Sequence, residues 1–146
     1  MRTVDIERTI EAPIADVFDW LTDATNYPRV PLVRRVTLVR PGDTHPQGRG
    51  AVRLVVTPVL RLTEEIVEYH PPTLMCYRIL QSIPTLRHEQ GRMEFRETAN
   101  GTRVRWLSRF ELESAWSGLF TAALSPGIAL SFHLLLRTAA RDLQVS

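Results

Sequence analysis

The chain opens on an alternation. Val4, Ile6 and Ile10 are apolar and Asp5, Glu7, Thr9 and Glu11 polar, with Arg8 alone out of phase, which is the period of a half-buried strand. Ala12-Pro13 ends it. Pro13 suits the first turn of a helix, and Ile14, Val17, Phe18 and Leu21 then recur at 3, 4 and 7 residues, one apolar helical face. Asn26-Tyr27-Pro28 and Pro31 interrupt, so residues 24–31 read as a loop or one further turn. From 32 to 113 the pattern predicts strands at Val33–Arg40, Gly50–Val59, Arg61–Tyr69, Leu74–Leu80, Arg87–Glu97 and Thr102–Glu113. Turn chemistry at Pro41-Gly42-Asp43 with Pro46-Gln47-Gly48, Pro58, Pro71-Pro72, Pro84 and Asn100-Gly101 divides them, the last being a strong hairpin signal. An antiparallel sheet follows.

Between Glu113 and Arg137 lie 23 residues without Asp, Glu or Arg, long enough to raise a membrane span. Ser117, Thr121, Ser125, Pro126, Ser131 and His133 interrupt that stretch, and a buried helix accounts for it better. Ser125-Pro126 has the look of an N-cap followed by a first-turn proline, which predicts a short helical piece and then a longer helix to about Leu143. On that helix Ile128, Phe132, Leu135, Ala139 and Leu143 share the packing face, and Ala129, His133, Arg137 and Arg141 the wet one. The sheet's apolar face has no other large apolar partner, so an α+β fold with the sheet curled round the C-terminal helix is expected.

A chain of 146 residues, 44% apolar, predicts a single domain over 1–146 with a core that needs no disulfide or metal. Cys76 has no partner for an internal bridge and reads as a small core residue. The charged start, Met1 to Arg8, lacks a signal peptide's apolar run, and a cytoplasmic protein is expected. All 18 basic residues are arginine, scattered among 16 acids and never denser than Arg34-Arg35, which argues against a nucleic-acid partner. His45, His70, His88 and His133 lie 25, 18 and 45 residues apart, with no metal-ligand spacing. Gly48-Arg49-Gly50 is a turn rather than a phosphate cradle, and no cofactor is expected.

In a curled sheet every second side chain points at the helix. The last strand would offer Val104, Trp106, Ser108, Phe110 and Leu112, the strand before it Met93 and Phe95, and the third Val52, Leu54 and Val56. Such side chains can equally make a solid core. Arg61–Tyr69 tips the balance, because either register directs a carboxylate inward, where it must be paired, neutralised or wetted. With Leu62 and Ile66 inward, Glu64 and Glu68 become polar points of a pocket; the other reading leaves both acids in solvent. Ser108 breaks an apolar face and has either a ligand or a neighbouring strand as its partner.

Ile10-Glu11-Ala12-Pro13-Ile14-Ala15-Asp16-Val17-Phe18, Asn26-Tyr27-Pro28, Tyr69-His70-Pro71-Pro72-Thr73-Leu74 and Gly101-Thr102-Arg103-Val104-Arg105-Trp106, in this order and spacing, resemble the START-like, Bet v 1-like helix-grip superfamily (SRPBCC). The likeness is to its bacterial polyketide cyclase/dehydrase and lipid transport group. It implies a seven-stranded curved antiparallel sheet wrapped round a long C-terminal helix, with two short helices between strands 1 and 2. It also implies a cavity for an apolar small molecule, with Trp106 as wall. The cyclases in the resemblance use an arginine on the strand before the Pro-Pro turn. Glu68 stands there in this chain, and a carboxylate cannot stabilise a developing enolate as a guanidinium does.

The expected function is therefore binding, with transport as an extension, of a lipid, quinone or polyketide-like compound. Val52, Leu54, Val56, Ile66, Met93, Phe95, Trp106 and Phe110 would form the wall, and Phe120, Leu124 and Ile128 the helical side. Glu64, Glu68 or Ser108 would orient a polar end. The uncharged segment Trp116–Pro126 would gate the cavity and touch a bilayer during exchange. Two alternatives stand beside this one. The first is a cyclase or dehydratase with Glu64 or Glu68 as base and Tyr27 or Tyr77 as donor. The second is a regulatory protein-interaction module with no cavity. A monomer and a homodimer both fit.

Overall fold

The computed structural model describes residues 2–88, 90–112 and 117–144, and their side chains except at 112, 117, 118, 120–122 and 124. The opening alternation becomes β1 (Arg2–Ile10), followed by α1 (Ile14–Thr22) and a 3-10 helix over Ala24–Arg29. Then come β2 (Arg35–Arg40), β3 (Val52–Val56), β4 (Arg61–His70), β5 (Leu74–Ile83), β6 (Leu86–His88), β7 (Gly91–Thr98) and β8 (Gly101–Leu112). The chain closes on α2 (Ser117–Leu143). The strands form one curved antiparallel sheet in the order β1-β8-β7-β5-β4-β3-β2, with β6 also paired to β8.

Two elements differ from expectation. The strand expected over Arg87–Glu97 is divided into β6 and β7, because the register against β8 moves by one residue between the His88–Phe110 and Arg92–Leu107 pairs. Such a shift interrupts a ladder without ending it, so eight strands stand where seven were expected. Ser125-Pro126 is not a helix start. Pro126 lies inside α2, although a proline removes one backbone donor and crowds the preceding turn. The helix is held further along, where Phe132, Leu135, Leu136, Ala139 and Ala140 are buried. Its end is tied down by Asp142, which accepts from Trp20 Nε1 at 3.0 Å and from the Arg29 guanidinium. Among the described residues, no helix is long and apolar enough to cross a membrane.

One half of the interior is solid. Phe18 on α1 packs edge-on against Phe95 at 5.0 Å and against Tyr69 at 5.4 Å. Ile10, Leu21, Ile66, Met75, Met93, Val104 and Leu136 are fully buried in the same cluster. Cys76 is buried as well. The β8 parity is the expected one, with Val104, Trp106, Ser108 and Phe110 buried and Arg103 and Arg109 exposed.

Gly91 carries a constraint of its own. A Cβ there would sit 1.9 Å from Cζ of Tyr77, whose ring lies directly across the glycine from the paired strand. Tyr77 is 5% exposed, so its ring would have to shift to admit the methyl group. Gly91→Ala is therefore expected to destabilise the protein by about 1–3 kcal/mol, the range for overpacking. The cost should largely vanish on a Tyr77→Ala background. Urea denaturation of the two single variants and the double variant checks the coupling.

Candidate functional site

The other half of the interior is hollow. A pocket of about 600 Å³ lies between the inner face of the sheet and α2. Its lining runs from a wet rim to a buried floor. Pro58 and Val59 in the β3–β4 turn, Pro84 after β5, and Ala123 and Gly127 on α2 are exposed. Val55, Leu60, Tyr77, Trp106, Ser108 and Phe110 are buried.

The polar part of the floor centres on Arg53 and Glu64, neighbours across the β3–β4 ladder. Arg53 is 1% and Glu64 6% exposed, and Nε of the guanidinium donates to Glu64 Oε1 at 2.9 Å. Arg53 Nη1 donates to the Thr22 carbonyl at 3.2 Å and to Gln47 Oε1 at 3.4 Å, and the guanidinium lies 5.5 Å from the Tyr27 ring centre. Burial works against the Arg53 charge, but Tyr27 and Glu64 more than offset it, and its pKa lies above the ordinary value. The inward carboxylate thus met its requirement by pairing.

A second polar group lies on β5, β6 and β8. Trp106 Nε1 donates to Tyr77 Oη at 3.2 Å, and His88 Nε2 is 2.9 Å from Ser108 Oγ. The His88 and Tyr77 rings stack at 5.7 Å. Burial pushes the Tyr27 phenol up to about 12, with the Arg53 charge partly opposing, while the Tyr77 phenol is raised by burial and then by the Glu64 charge.

The expected site residues divide by this geometry. Glu64, Tyr27, Tyr77, Trp106, Ser108, Phe110 and Ile128 all line the pocket. Ile66, Met93 and Phe95 are buried on the inner face but in the solid half, where α1 fills the space. Val52, Leu54 and Val56 correct the expectation. Arg53 and Val55 face the pocket, so their neighbours take the opposite face. The run from Val52 to Val56 is apolar on both faces except for Arg53, and it carries no alternation to read. Glu68 is the second correction. A register shift between Ile66 and Glu68 reverses parity, so that Tyr69 turns to Phe18 and Glu68 is exposed. Phe120 and Leu124 lie outside the residues whose side chains are described.

Sequence reasoning missed Arg53, Val55 and His88. A signal for Arg53 existed. It stands as far before the centre of the Pro58-Val59 turn as Glu64 stands after it, so a tight hairpin must place the two side by side. No comparable signal marks His88, whose approach to Ser108 depends on a diagonal across a shifted ladder.

A family model described as polyketide cyclase/dehydrase and lipid transport matches residues 1–143. No curated protein matches the sequence. Among solved structures, a protein from Thermus thermophilus superposes with a TM-score of 0.79 at 19% identity, covering 98% of this chain and 97% of that one. The Zhui aromatase/cyclase from a Streptomyces species gives 0.77 at 18%, covering 96% and 94%. A START superfamily protein from Mycobacterium smegmatis gives 0.77 at 13%, covering 97% and 98%. At these identities the likeness is one of fold.

Two outcomes follow from the electrostatics of the floor. Arg53→Met leaves the Glu64 carboxylate buried without its cation and should cost about 3–5 kcal/mol, most of it recovered in Arg53→Met/Glu64→Leu. Chemical denaturation of the three variants measures this. The Tyr27 and Tyr77 phenols titrate higher in the fold than the ordinary 10.0, so the stability they lend is complete below pH 10 and drains away as the pH rises toward about 12. Ultraviolet phenolate absorbance should rise later in the native than in the urea-unfolded chain, and urea midpoints should fall across the same window.

Proposed function

Because the chain belongs to the polyketide cyclase/dehydrase and lipid transport family, we propose that it binds an apolar small molecule between its sheet and α2. The observation that carries this is the pocket of about 600 Å³, a volume in the range of small-molecule sites. The pocket favours this reading over a pure interaction module, which would have a filled interior. Affinity comes from the apolar wall of Val55, Leu62, Ile79, Trp106, Phe110 and Phe132, at about 25 cal/mol per Å² buried. The polar floor selects a ligand with one hydrogen-bonding end, since an apolar end placed there would leave Glu64 and Ser108 unsolvated.

The surroundings of the rim support an entry route. Val59 on the rim is 67% exposed, and Ile83, at 68%, and Leu119, at 66%, precede the lining residues Pro84 and Ala123 by one and four positions. A cytoplasmic carrier of lipid, quinone or polyketide-like compounds would exchange its cargo across this rim, in passing contact with a bilayer. A cyclase or dehydratase reading has support in Glu64, Tyr27 and Tyr77, which face the pocket; Glu68 does not. Arg53 also puts a guanidinium into the pocket, from β3 rather than from the strand before the Pro-Pro turn, though Glu64 already engages it.

The environment-sensitive dye 1-anilinonaphthalene-8-sulfonate is expected to bind stoichiometrically at micromolar concentration. Filling the pocket with Val55→Trp or Leu62→Trp should weaken it at least about tenfold, in variants that still melt cooperatively. Native mass spectrometry of protein from its own host should show a retained small molecule. A wild-type protein that takes up no dye would sink the reading.

A further inference from the structure

Ser108 and His88 sit within hydrogen-bond distance of each other on two paired strands, at 2.9 Å, and both line the pocket. A second hydrogen bond lies behind it. An indole N–H only donates, and that of Trp106 donates to Tyr77 Oη at 3.2 Å. The phenol keeps its own hydrogen to donate. In the neutral imidazole tautomer protonated on Nδ1, His88 Nε2 accepts the hydrogen of the Ser108 hydroxyl.

The result is a serine hydroxyl aimed at an imidazole base, held on strands rather than loops. Neither ring is free to turn. His88 stacks on Tyr77, and Tyr77 is seated across Gly91, where only a missing Cβ makes room for it. Its neighbours on the inward β8 face, Trp106 and Phe110, also line the pocket, so the hydroxyl stands at an apolar wall that would hold an acyl chain against it.

We propose that Ser108 and His88 are a nucleophile and its base, and that the protein hydrolyses esters of apolar carboxylic acids held in the pocket; this rests on the binding reading above. Ser108 Oγ adds to the ester carbonyl carbon while its proton passes to His88 Nε2. The tetrahedral intermediate collapses with cleavage of the C–O bond to the alcohol, which takes that proton from the imidazolium. Water, giving a proton to the same imidazole, then adds to the acyl-serine. Collapse of this second intermediate releases the carboxylic acid and returns the proton to Ser108. Tyr77 O–H, which lines the same pocket, is the donor available to the oxyanion.

The test uses p-nitrophenyl butyrate as substrate and a fluorophosphonate as a serine-directed label, with 1-anilinonaphthalene-8-sulfonate uptake measured in parallel. The wild-type protein should turn the ester over with saturation and take the label on Ser108, located by peptide mass spectrometry. Ser108→Ala should lose the label and at least ~100-fold in kcat/KM, and His88→Gln should slow labelling and turnover by a similar factor. Tyr77→Phe should lower kcat and leave KM nearly unchanged, the signature of a contact made in the transition state. Wild-type protein that binds the dye but neither turns over the ester nor takes the label overturns the nucleophile–base pair and leaves the pocket standing. So does a Ser108→Ala or His88→Gln variant as active as the wild type. Failure of dye uptake overturns the binding reading itself.

Discussion

The ion pair of Arg53 and Glu64 is the constraint from which the rest of the site follows. An ionised carboxylate on an inward strand position must be matched, and the match here comes from the adjacent strand at 2.9 Å. This settles the parity of β3 and β4 together, and with it which of their side chains face the pocket. The same guanidinium reaches Thr22 at the end of α1 and Gln47 in the β2–β3 loop, while Gln47 Oε1 accepts from the Ala24 backbone at 3.4 Å. One buried charge thus ties the helical insertion, the long loop and the sheet together. A hydrophobic pair could pack as well, but it could not bind three backbone segments by directional contacts.

The division of the interior into a solid and a hollow half has a simple cause. Between β1 and β2 the chain inserts α1, and Phe18 drives into the sheet against Phe95 and Tyr69, filling that half. Among the described residues nothing equivalent enters the other half. There α2 offers Gly127, Ile128 and Ser131, while Phe132 lies flat on Trp106 with ring centres 4.0 Å apart. The stacked pair caps the solid region and forms the end wall of the pocket. Tight packing and an open pocket are compatible because they occupy successive turns of one helix.

Within a shared fold, identities of 13–19% leave the pocket floor to each chain, and function is carried there. This floor combines a charge-neutral ion pair with two hydrogen bonds, one from Trp106 to Tyr77 and one between Ser108 and His88. Both arrangements keep polar atoms buried without leaving a net charge in the apolar surroundings. They also make the floor chemically specific while the walls stay permissive.

Strands, turns, the fold class and the inward face of β8 were legible in the sequence, because alternation and turn residues act locally and Val104, Trp106, Ser108 and Phe110 alternate with Arg103, Arg105, Leu107 and Arg109. The demand for a partner at Glu64 was legible too, since it follows from the cost of burying a carboxylate anywhere in a dry interior. Tertiary structure alone decided the rest. The parity of Val52, Leu54 and Val56 depends on a pairing in a neighbouring strand, and Glu68 was turned outward by a single unpaired residue in the ladder. The meeting of His88 with Ser108 depends on a one-residue shift that no local pattern records. Side-chain period in a strand is two, so each such shift exchanges inside for outside, and only the assembled sheet says how many there are.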